Sequence, residues 1–191
     1  MGHRTALAVL AASLFCAIPV QADEAGQPLS FKSVLSETQG HWQGNMQYRE
    51  GQSDNWINVP AEMEISIAGD GVTLIRQLEY HRTPGSEPDY VTSLEMLDES
   101  QTGIAFTELH AGAEPTVARQ RISQGQLSDP HNWMYVYFVD GTDGERPVMK
   151  RVTVIRDEDT LASVTEVDFT DEDGTNWQQS NRTSFTRVAG D

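Results

Sequence analysis
Apolar and polar residues alternate along most of the chain. Residues 72–82 show it best. Val72, Leu74, Leu78 and Tyr80 fall on one face, and Thr73, Gln77, Glu79 and His81 on the other. A period of two is the signature of a half-buried strand. A helix would scatter 72, 74, 78 and 80 around its circumference. Similar runs cover 41–50, 55–67, 89–98, 103–110, 115–124, 132–140, 147–156, 160–170 and 175–188. Turn residues punctuate them: Gly69-Asp70-Gly71, Pro84-Gly85, Asp140-Gly141 and Asp173-Gly174. Asp-Gly between alternating runs is a strong hairpin signal. The connections are too short for the crossovers that parallel strands need. Ten short strands so joined predict one all-β domain, an antiparallel barrel or sandwich.

The first 22 residues follow a different rule. Arg4 precedes an apolar run from Ala6 to Ile18, and Val20-Gln21-Ala22 ends on a small residue. This is the pattern of a cleaved signal peptide, with cleavage expected after Ala22. The run is shorter than the ~20 apolar residues of a membrane span. The expected product is periplasmic or secreted. Cys16 follows the bulky Phe15, which argues against lipid attachment. Residues 23–38 read as a polar lead-in, of which 31–39 are either a short helical turn or a loop. The barrel domain is expected over 39–189.

Composition narrows the partners. The chain has 191 residues, 13 basic and 29 acidic side chains, and a net charge of −16. Such an excess repels nucleic-acid phosphates and anionic membranes, so neither nucleic-acid binding nor stable membrane insertion is expected. The single cysteine lies within the signal segment. The mature chain therefore has no disulfide and no thiol chemistry. Oligomeric state is left open.

The predicted inward faces are not uniformly apolar. Arg76 shares the apolar face of 72–82. One face of 115–124 holds Val117, Arg119, Arg121 and Ser123, and one face of 175–187 carries Gln179, Asn181, Thr183 and Arg187. Unpaired polar groups in a dry core cost ~1–3 kcal/mol each. Either some of these faces point outward, or the interior is a wet cavity. An antiparallel barrel of this size can hold one small ligand.

Gly40-His41-Trp42 opens the first strand, and Ser184-Phe185-Thr186-Arg187 ends the last. The opening resembles the G-x-W of the calycin superfamily: lipocalins, fatty-acid-binding proteins and nitrobindin-like barrels. The chain also looks like bacterial secreted lipocalin-like proteins. The resemblance implies a closed barrel with Trp42 at one end and Arg187 packed across it. Gly40, Trp42 and Arg187 would then be closure residues, and guanidinium over indole contributes ~0.5–2 kcal/mol. The departures are specific. No helix pair fits between the first two strands, only a turn around Gly51 to Asp54. That brings nitrobindin-like barrels nearest in shape. Those hold haem through a histidine near the C-terminus, and no histidine follows His131 here.

The remaining motifs are sparse. His41, His81, His110 and His131 show no metal-ligand spacing. The acidic Asp140–Glu145 stretch lacks the ligand series of a calcium loop. No nucleophile elbow, phosphate loop or triad spacing occurs, so an enzyme is the least supported reading. No cofactor is implied. Trp133, Tyr135 and Tyr137 share a face in the most aromatic segment, either as core or as a cavity wall. The expected function is binding of a small apolar or amphipathic molecule. The candidate contacts are Arg76, Tyr80, His110, Arg121, Tyr135, Tyr137 and Asn181. Arg76 and Arg121 would suit an anionic head group. The alternative for each arginine is outward exposure or pairing with Glu79, Glu95 or Glu108. The rival whole-protein reading is an interaction module with a filled barrel.

Overall fold
The structure, a computed structural model, describes residues 29–49, 55–83 and 85–190. The signal segment with Cys16, the start of the lead-in, the 51–54 turn and Pro84 lie outside them. A short helix, α1 (Phe31–Ser36), precedes ten strands. These are β1 (Gly40–Arg49), β2 (Trp56–Ile67), β3 (Thr73–Tyr80), β4 (Asp89–Leu97) and β5 (Gly103–His110). The second half holds β6 (Thr116–Asp129), β7 (Asn132–Asp143), β8 (Arg146–Asp157), β9 (Thr160–Phe169) and β10 (Gln178–Arg187). Each strand pairs antiparallel with the next, and β1 pairs with β10 to close the barrel. Closure leaves the sheet no free edge.

The alternation of the sequence is the alternation of the wall. In β2, Val59, Ala61, Met63 and Ile65 are buried, and Asn58, Pro60, Glu62 and Glu64 are exposed. At the closing seam Trp42 stands opposite Arg187, and Gly44 opposite Phe185. A Cβ on Gly44 would meet the Ser184 carbonyl oxygen at 2.0 Å. Glycine is what lets β1 and β10 approach there.

Two local readings are corrected. Asp140-Gly141 does not turn the chain: β7 runs on to Asp143 and turns at Gly144, whose φ is +61°. The left-handed φ falls on the second glycine of the stretch, not the first. Strand β6 also continues past 124, to Asp129. Its ladder survives through two register shifts, between Ile122 and Gln124 and between Leu127 and Asp129. Each shift is a bulge that resets the inward phase.

One end of the barrel is plugged. Ser30 caps α1 by accepting from the Ser33 N–H, and the Ser33 hydroxyl reaches back to the Ser30 backbone. This box holds a helix of only six residues, with Val34 and Leu35 buried. Phe31 meets Tyr135 edge to face at 5.7 Å. Beneath it Trp42 is fully buried and donates from Nε1 to the Thr38 carbonyl at 2.9 Å. Arg187 and Arg156 both stand over the Trp42 ring, each 5.0 Å from its centre. Both also donate to the Glu37 carbonyl just beyond α1. A cation at a helix C-terminus meets the negative end of its dipole.

Candidate ligand-binding cavity
Above the plug the interior is incompletely filled. A cavity of about 200 Å³ remains, lined by side chains from nine of the ten strands and bordered below by the packed core. Met46, Met63, Leu78, Val152, Val154, Leu161 and Phe185 make most of its apolar wall. These are inward positions of their strands.

The polar part of the wall is concentrated. Arg76 of β3 and Glu95 of β4 both face the cavity, with Arg76 Nε 3.0 Å from Glu95 Oε1. Their side chains keep only 18 % and 12 % exposure. The geometry is an ion pair without an aligned hydrogen bond, since Arg76 Nε has no hydrogen-bond partner. Burial alone would loosen the proton on Arg76. Glu95, with the neighbouring Tyr135 and Tyr137, outweighs it and raises the guanidinium above its usual value. Burial in turn pushes both phenols well above the ordinary tyrosine range, with Glu95 adding to the shift in each. The two phenols are therefore neutral hydroxyls at physiological pH.

Gln120 completes the polar group. It lines the cavity at 5 % exposure, and its carboxamide makes no hydrogen bond to any described residue. Ser163 and Thr183, also on the wall, satisfy each other at 2.8 Å.

The opposite end of the barrel is a cleft of about 450 Å³. Tyr48, Lys150, Asn181 and the β7–β8 turn at Gly144 border it. Thr165 lines both cleft and cavity, so the cleft adjoins the interior.

The structure sorts the candidate residues into five places. Arg76, Tyr135 and Tyr137 converge on the cavity. Asn181 borders the mouth cleft. Tyr80 packs half-buried against the core, and His110 sits at the rim, 2.8 Å from Glu108, in a depression shared with Arg82 and Tyr90. Arg121 is a correction. It is exposed on the outer face of β6, near Met149, and does not reach the interior. The inward face of β6 is Ala118, Gln120 and Ile122. Glu95 and Gln120 were not among the candidates as ligand contacts. The alternation Val91, Ser93, Glu95, Leu97 already places Glu95 inward.

No protein-family model and no curated protein matches the sequence. Solved structures do match. The M. tuberculosis protein Rv2717c is 12 % identical, with a TM-score of 0.60 over 84 % of this chain and 99 % of that one. The likeness is one of fold. A protein of unknown function from the DUF3598 family of Nostoc punctiforme is 11 % identical over 84 % of this chain and 100 % of its own. Its TM-score of 0.23 adds nothing to the fold assignment.

Proposed function
We propose that the protein binds a small apolar or amphipathic molecule inside the barrel, as a carrier in the cell envelope. The observation that supports this best is the cavity wall itself. An arginine, a carboxylate, two neutral phenols and an unpartnered carboxamide face a void among aliphatic side chains. A mostly apolar pocket with a few convergent polar groups is the usual form of a small-molecule site. A buried ion pair is weak evidence for stability, because desolvation offsets its attraction. Its retention beside a void is better explained by something that enters the void. The signal segment, an expectation of the sequence, supports the envelope as the place.

Native mass spectrometry of the protein purified from its own host tests this. The expected spectrum shows a reproducible small adduct that disappears on denaturation. A bare chain mass, together with no thermal stabilisation by any small molecule screened, would favour the filled-barrel interaction module.

A further inference from the structure
We propose that the cavity selects an uncharged molecule bearing an amide-like donor–acceptor group, and that Glu95 is what excludes carboxylates. The inference rests on the binding reading above.

Charge comes first. A lone interior arginine would recruit a carboxylate through paired hydrogen bonds. Here Arg76 already faces Glu95 at 3.0 Å inside the same wall. The two formal charges cancel, and the other wall residues bring no further formal charge. An entering anion would meet the Glu95 carboxylate with no spare cation to balance it. Like charges juxtaposed in a partly desolvated site repel and weaken binding.

Hydrogen bonding comes second, on an independent observation. Gln120 is buried, faces the cavity and has no partner among the described residues. Its carboxamide offers one acceptor oxygen and one NH2 donor. The complementary partner both donates and accepts, as an amide, lactam or urea does. The neutral Tyr135 and Tyr137 hydroxyls have the same dual capacity. A carboxylate only accepts, and would leave the Gln120 oxygen unpaired.

Size comes third. An apolar cavity of 150 Å³ admits benzene. By proportion, the about 200 Å³ here takes a ligand of ~8–10 non-hydrogen atoms. Met46, Met63 and Val152 supply an apolar bed for a ring or short branched chain.

Benzamide and benzoate are isosteres of about that size that differ in charge. Each is titrated into the purified full chain at neutral pH, with binding followed by backbone amide chemical shifts. The expected result is benzamide binding at least ~10-fold tighter than benzoate. Glu95→Gln should bring benzoate to parity or beyond, because Arg76 is then uncompensated. The double variant Arg76→Gln, Glu95→Gln should keep benzamide and gain nothing for benzoate. It also stands in where the single variant leaves an isolated charge that impairs folding. Equal wild-type affinity for the two probes would overturn the inference and leave the cavity as a binding site. So would a benzamide-to-benzoate ratio unchanged by Glu95→Gln in the folded protein. Binding of neither probe to any of the three proteins would remove the cavity reading and this inference together.

Discussion

Tyr135 and Tyr137 sit at the junction of packing and chemistry. Their rings belong to a stacked row that begins at Trp133, with centroids 5.7 Å and 6.0 Å apart along it. Their hydroxyls reach the cavity wall. Burial raises both acidities' midpoints above that of a free phenol. The sign of the linkage follows. A group whose folded value is raised contributes its full stability below its unfolded value, ~10 for tyrosine. That contribution is lost as pH rises through the interval up to the folded value. A spectrophotometric titration of phenolate, run beside circular dichroism, should show part of the chain's five tyrosines ionising while the fold holds. Tyr135 and Tyr137 should ionise only as the β signal collapses. A single phenolate step near pH 10 with the β signal intact would contradict their burial. At this scale the sequence was legible where alternation was unbroken. The shared face of Trp133, Tyr135 and Tyr137 is an example. Arg121 was misread because 115–124 offers a plausible apolar member on each face, Val117 on one and Ile122 on the other. Only pairing with β7 decides between them. The pairing of Arg76 with Glu95 was open in the sequence as one of three carboxylate partners. Contact across strands, not spacing along one, settles it.

Helix α1 shows how an element too short to be stable alone is held by the barrel. Six residues are below the length at which an isolated helix persists in water. Phe31 lies over Gly125 of β6, where a Cβ would meet its ring at 2.4 Å. The glycine makes the seat for the ring. Gly125→Val should lift Phe31 and loosen α1 while leaving the β6–β7 ladder in place. The expected cost is ~1–3 kcal/mol, the range for overpacking. Hydrogen exchange should show protection falling at 31–38 and holding in β8 and β9. Unchanged protection at α1 would show that Phe31 is not its anchor. The strands themselves were legible because each carries a period of two bounded by turn residues. Their ends were less so. Residues 125–129 look like a loop, with Gly125 and polar neighbours, yet bulges keep them in the sheet. Asp140-Gly141 has hairpin chemistry, but β7 and β8 continue to pair beyond it as far as Asp143 and Arg146. Register between neighbours outweighs the local turn preference.

The molecule as a whole is an acidic barrel, plugged by α1 at one end and bordered by a cleft over the buried Val148, Val167 and Phe169 at the other. Exposed carboxylates pair with scattered arginines on the outside, as Arg146 does with Asp171 and Glu172. Among the described residues, the charge pair Arg76–Glu95 instead faces the cavity. Strand count and short connections made a barrel or a sandwich legible, and the β1–β10 pairing is what decides for closure. The void itself was legible only as polar residues on apolar faces, one of which pointed outward. Its volume depends on how side chains from opposite walls meet, which no single strand records. The most direct test of the account fills that volume. Val152→Phe adds a ring to the cavity wall. A set of small neutral aromatic and aliphatic amides and alcohols is screened by ligand-observed NMR against wild type and this variant, both confirmed folded. The account predicts binding to the wild type that disappears in Val152→Phe. Binding undiminished in the filled variant, or none to the wild type, would contradict it.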